Sequence, residues 1–277
     1  MNRKMLDGKI IIVVGASGGL GKVFATEFAK EGASVVMTGR NEEKLRQAAA
    51  EVAEETGGRT FSVQADYKDK EDCDRLFDTV LAEFGTFDGL VTNASSTGEQ
   101  LSLEVTDEAY VDEIIDTDVK GLIRYNRRAL QHFLEKDSGC ILNIGSNNLQ
   151  HPICDSVYCA AKYAMYGLSK QLAMRCVGTG VRVNILNPGS FPSASGANAT
   201  TFADVDTSHL YDAGELVQAS GRIPVPNGSM IPIMKARTNR AVPVHLEQVA
   251  YAAVYLLSDL ATDVQGQMFT VDRGGYL

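Results

Sequence analysis

The chain has no CxxC pair, only an odd set of five cysteines: Cys73, Cys140, Cys154, Cys159 and Cys176. That pattern argues against a disulfide framework and offers no zinc-type ligand spacing. The four histidines are scattered, and no metal is expected. Basic residues are in the minority: a formal net charge of -9 argues against the clustered basic surface that nucleic acid demands. No apolar run is long enough to cross a bilayer. Basic residues before "KIIIVV" look superficially like a secretory leader, but Asp7, Gly8 and Lys9 interrupt the run and a glycine loop follows it directly. It reads as a first buried strand. No proline- or serine-rich linker, internal repeat or low-complexity tract divides the 277 residues. A single cytoplasmic domain with a substantial core is expected.

What is present is an alternation of apolar runs with segments of helical period. "KIIIVV" precedes "GKVFATEFAKEG", whose Val23, Phe24, Phe28 and Ala29 form one apolar stripe. "ASVVMT" precedes "NEEKLRQAAAEVAEETGG", with Asn41 as cap and Gly57 and Gly58 as stop. "RTFSVQA", "FDGLVTN", "GCILNIGS", "VRVNILNPG" and "GQMFTVD" read as further strands, and one long helix is expected from about Thr106 to Leu134. Repeated β-then-α with continuously apolar strands implies an α/β fold, a doubly wound parallel sheet with helices on both faces. Such sheets bind ligands outside the carboxyl ends of their strands, so the residues just after each strand matter most.

After the first strand comes "GASGGLG", Gly15 to Gly21, which includes Ser17, Gly19 and Leu20. Glycines permit the tight turn, and the next helix opens with free backbone N–H groups suited to a pyrophosphate. The second strand ends "TGRN". A carboxylate here would hold a ribose 2′-hydroxyl, whereas Arg40 suits a 2′-phosphate, so NADP(H) is expected over NAD(H). Farther along, "YCAAK" sets Tyr158 and Lys162 one helical turn apart on one face. A free phenol has a pKa of about 10. A neighbouring ammonium favours the phenolate and lowers that value, which would make Tyr158 a usable acid/base.

The spacing Gly15-xxx-Gly19-x-Gly21 and the pair Tyr158-xxx-Lys162 together resemble the short-chain dehydrogenase/reductase family in its classical form, over nearly the whole chain. "TNAS" (Thr92 to Ser95) stands where that family has NNAG; Ser146 follows the fifth strand, "NPGS" the sixth, and "VDRGG" stands for the closing DGG-like turn. The resemblance implies hydride transfer between a nicotinamide and a secondary alcohol/ketone pair. Tyr158 would be acid/base, Ser146 would polarise the substrate oxygen, and Lys162 would support Tyr158 and hold the nicotinamide ribose. Asp66 with Tyr67, Asn93 and Ala94 would line the adenine-ribose side; Pro188, Gly189, Phe191 and Ser193 would flank the nicotinamide. It also implies a homotetramer built on the Thr106–Leu134 and Asp155–Gly178 helices.

Three departures stand out. Ser95 replaces a glycine and is expected to crowd its turn. "DVKG" places Asp118 where the family has an Asn at a helix break, whose main-chain carbonyl binds a water linked to the catalytic lysine. Asp118 is therefore expected to join the proton relay while blunting the effect of Lys162 on Tyr158. Ser146 and Tyr158 lie twelve residues apart, one fewer than in many relatives; in the shortened loop Asn147 and Asn148 are candidate substrate contacts and His151 a loop residue. Residues 190–243 lose the β/α rhythm and read as a substrate lid, with Arg222, Lys235 and Arg237 as surface charges. An enoyl-thioester reductase and a catalytically silent dinucleotide-binding regulator are the alternatives.

Overall fold

A strand covered on both faces must be apolar along its whole length, and the first strand, β1 (Ile10–Val14), meets that demand. Ile11 and Val13 pack into one core, Ile12 and Val14 into another. The computed structural model describes residues 4–96, 101–150, 152, 154–189, 191 and 244–273. Short 3-10 turns aside, β1 is followed by α1 (Gly19–Lys30), β2 (Ser34–Gly39), α2 (Glu42–Thr56), β3 (Thr60–Gln64), α3 (Lys70–Phe84) and β4 (Gly89–Thr92). Then come α4 (Glu108–Ile114), a π-helical segment (Ile115–Gly121), α5 (Leu122–Glu135), β5 (Gly139–Ile144), α6 (Ser156–Arg175), β6 (Val181–Pro188), α7 (Leu246–Leu257) and β7 (Met268–Val271).

The strands form one sheet in the order β3-β2-β1-β4-β5-β6-β7, every neighbouring pair parallel. Val14 aligns with Thr38 and Thr92, and Thr92 with Asn143, so the carboxyl ends of β1, β2, β4 and β5 share one edge. Strand order reverses between β1 and β4, which places the ligand crevice there. Helices α1, α2 and α7 cover one face through Phe24, Phe28, Leu45, Val52 and Val249. On the other face, α3, α5 and α6 contribute Leu76, Phe77, Tyr125, Phe133 and Met165. Each such side chain contributes about 1.5–3 kcal/mol on burial.

Local signals place the helix ends. Asn41 caps α2 by accepting from the Lys44 N–H at 2.9 Å, and Gly57, at φ 66°, closes it. The expected single helix from Thr106 to Leu134 is instead three segments, because Ile115–Gly121 winds as a π-helix. A π turn carries an extra residue and commonly marks a functional position. Asp118 sits inside it, buried.

Candidate active site

The glycine loop is shaped by backbone contacts that exclude side chains. A Cβ on Gly15, at φ 78°, would lie 3.0 Å from the Ala94 backbone, and one on Gly21 would lie 2.0 Å from the Gly15 carbonyl oxygen. Asn93 ties the two strand ends together by donating from Nδ2 to that same carbonyl at 3.1 Å. Among the described residues, nothing lies close above Gly18 and Gly19 and no side chain caps α1, whose first turn holds no acidic residue. The helix N–H groups are thus left for an anion. The Ser17 hydroxyl stands beside Gly39, 3.3 Å from where a Cβ would be, and exposed Arg40 follows directly. Leu20 is buried beneath the loop. This cradle fits a dinucleotide: it is closed to side chains where backbones meet and open over the helix terminus.

At the next strand end, Asp66 Oδ1 accepts from the Lys68 N–H at 2.9 Å, which folds the turn after β3. Tyr67 does not join the site through its side chain: it is 4% exposed and its ring packs on Tyr125 at 4.6 Å. An aromatic ring at this place is worth more in the core than on the crevice wall. Pro188 ends β6, Gly189 is pressed so close to Asp272 that a Cβ would lie 2.7 Å from its Cα, and Phe191 packs on the core. Ser193, His151, Arg222, Lys235, Arg237 and nearly all of the expected lid lie outside the described residues.

Tyr158 and Lys162 sit in the first two turns of α6, both buried, with the Lys162 ammonium 5.1 Å from the centre of the phenol ring. Asp155 fixes the start of that helix, accepting from the Val157 and Tyr158 N–H groups at 3.0 and 2.8 Å and from the Tyr110 hydroxyl at 2.9 Å. Lys162 Nζ donates to Asp118 Oδ1 and to Ser95 Oγ, each at 3.0 Å. Asp118 also accepts from the Ser95 hydroxyl and, at 2.8 Å, from the Ser96 N–H. The Ser95 hydroxyl thus joins Asp118 and Lys162. Ser146 lies close enough to the phenol of Tyr158 to act on it. Its own oxygen accepts from Asn148 Nδ2 at 2.8 Å, so Asn148 positions the serine rather than pointing at a substrate.

Burial pushes the Tyr158 phenol above its ordinary range, and the nearby Cys154 and Asp118 push the same way. Lys162 and Ser146 pull it down. Lys162 acts as expected, yet the net direction is upward, because a phenolate away from water is costly. Burial works against the Lys162 ammonium, but Tyr158, once ionised, and the Asp118 carboxylate together more than offset it and hold its pKa up. The pair is thus a neutral phenol beside a charged ammonium. The buried amides of Asn147 and Asn187, flanking this cluster, have no hydrogen-bond partner among the described residues.

A network that sequence reasoning missed lies beneath. Asn143 on β5 exchanges hydrogen bonds with Asn126 on α5 at 3.1 Å each way, accepts from the Thr92 hydroxyl at 2.7 Å and donates to Ser169 at 2.8 Å. All four are buried. They brace the strand leading to Ser146 against the helix carrying Lys162. The available signal was an asparagine inside an apolar strand, since buried polar groups need partners.

The sequence model of the short chain dehydrogenase family matches residues 9–203. The chain is 33% identical to 3beta-hydroxysteroid dehydrogenase 1 of Eggerthella lenta, over 97% of this chain and 94% of that protein. It is 31% identical to glucose 1-dehydrogenase 2 of Bacillus subtilis, over 98% and 96% respectively. Among solved structures, a dehydrogenase/reductase from Sinorhizobium meliloti 1021 superposes with a TM-score of 0.78 at 27% identity, covering 99% of this chain and 98% of that one. Levodione reductase shares the fold, with a TM-score of 0.80 at 24% identity, covering 97% and 98%. The chain belongs to the short chain dehydrogenase family and is an oxidoreductase, and members of that family bind NAD(P).

Proposed function

We propose that the protein interconverts a secondary alcohol and a ketone by hydride transfer, with NADP(H) preferred and Tyr158 as the acid/base. The observation that carries this reading is the convergence of buried Tyr158 and Lys162 with half-buried Ser146 at the carboxyl edge of the sheet. The nicotinamide, when bound, supplies or accepts the hydride. In the reducing direction the neutral Tyr158 gives its proton to the substrate oxygen, which Ser146 orients. The Lys162 ammonium then stabilises the phenolate left behind. Asn148 keeps the Ser146 lone pairs occupied, which directs the serine proton toward the oxygen atoms in front of it. Gly15, Ser17, Gly19, Leu20 and Gly21 would cradle the dinucleotide, with Asp66, Asn93 and Ala94 on its adenosine side. The Lys162 ammonium would reach the nicotinamide ribose.

Arg40 and the Ser17 hydroxyl, on either side of Gly39, offer a guanidinium and a donor to a 2′-phosphate. Arg40→Ala is expected to raise the KM for NADPH far more than that for NADH; equal effects would refute the preference. Steroid and glucose substrates, after the named relatives, head the panel to screen, followed by other ketones and enoyl thioesters. The lid role of residues 190–243 and a cytoplasmic homotetramer belong to the same reading; exposed Ile123 and Met174, on α5 and α6, support association.

A further inference from the structure

Two of the chain's departures from its family touch each other. Ser95, at the end of β4, and Asp118, in the π-helical segment, are 23 residues apart, and the serine hydroxyl donates to the carboxylate. The Ser96 N–H occupies the second carboxylate oxygen, and Lys162 bonds to both side chains. Three donors thus converge on one carboxylate whose side chain is 2% exposed. An isolated charge could not stay there; this one is paired and hydrogen-bonded.

Resting on the oxidoreductase reading, we propose that Ser95 is a positioning residue: with the Ser96 N–H it fixes Asp118 against Lys162, so that the lysine's charge is shared between that carboxylate and the Tyr158 phenol. An ammonium has three N–H donors. Two are committed to Ser95 and Asp118, which leaves one for a ribose hydroxyl.

The groups facing Tyr158 are Lys162 from its own helix, Cys154 from the preceding loop, Asp118 from the π-helical segment and Ser146 from the end of β5. Those facing Lys162 are Tyr158, Asp118 and Cys154. Burial pushes the Cys154 thiol up to about 12, so it stays neutral through the working range. Among the described residues, Asp118 and Lys162 are the charged groups that act on the phenol, on top of the larger effect of burial. Removing the carboxylate's charge releases the ammonium to act on the phenolate, so the midpoint of Tyr158 falls. Removing the Ser95 hydroxyl leaves the carboxylate one donor short, draws the ammonium toward it, and the midpoint rises.

The test is a near-ultraviolet phenolate titration of the full chain, with the Tyr158→Phe titration subtracted. It is run on the unsubstituted protein, Asp118→Asn, Ser95→Ala, Ser95→Thr and the Ser95→Ala/Asp118→Asn double variant. Asp118→Asn is expected to lower the midpoint on the order of one pH unit, the size a single neighbouring charge gives. Ser95→Ala should raise it by less, Ser95→Thr should retain the starting midpoint, and Ser95→Ala should add nothing once Asp118 is gone. The pH profile of alcohol oxidation should move in the same directions, since oxidation needs the phenolate and rises through its midpoint. An unmoved midpoint in Asp118→Asn, or an equal Ser95→Ala shift in both backgrounds, overturns the proposal. The titration needs no substrate, so its failure is distinct from a failure to find any alcohol oxidised.

Discussion

The β1–α1 turn and the β5–α6 region lie on the same edge of the sheet, on either side of β4, and are built on different principles. The first is made of backbone. Its glycines are required because main chains meet, as the 2.0 Å approach between a Gly21 Cβ and the Gly15 carbonyl makes plain. The second is made of side chains that meet from distant parts of the chain: Lys162 with Ser95 and Asp118, Asn143 with Thr92 and Asn126. A region of the first kind announces its function in a short run of letters. One of the second kind has to be folded before it can be read.

The comparison can be broken first at Gly21. Gly21→Ala forces the loop and helix apart, and titration with NADPH, followed by fluorescence, is expected to show binding weakened more than about tenfold, equivalent to about 1.4 kcal/mol. Retained affinity would mean that the loop is not a rigid cradle. The side-chain region breaks at Asn143, where truncation to Ala leaves Asn126, Thr92 and Ser169 without their shared partner. With about 1–3 kcal/mol lost for each buried polar group left unsatisfied, chemical denaturation should show a loss of about 3 kcal/mol. A loss under about 0.5 kcal/mol would show that the network does not brace the strand. The smallest effect sharpens the contrast: Gly57→Ala, at φ 66° with nothing near its would-be Cβ, should cost only about 1 kcal/mol and leave cofactor binding intact.

The alternation of strands and helices and the glycine turn between β1 and α1 were legible because hydrophobic period and glycine spacing are local signals. The break in the helix preceding Leu122 did not show in its hydrophobic period and was reached only through the family resemblance at Asp118; its π winding appeared only in the fold. Tyr67 was named only as the neighbour of Asp66, and the packing of its ring on Tyr125 was not visible in the sequence. Ser95 could be read in sequence only as a larger residue set against a glycine; its hydrogen bond to the carboxylate of Asp118 appears only in the fold. For Tyr158 the sign of one interaction was readable from "YCAAK", but the depth of burial that outweighs it was not.

Turnover by Tyr158→Phe, set beside the unsubstituted protein on the same alcohol and at the same bound fraction of NADP(H), puts the acid/base assignment to its sharpest trial. Losing the phenolic hydroxyl should lower kcat by about a thousandfold while the thermal midpoint and dinucleotide affinity hold. A variant that turns over within about tenfold of the original would contradict the account, since the proton would then be travelling by another group.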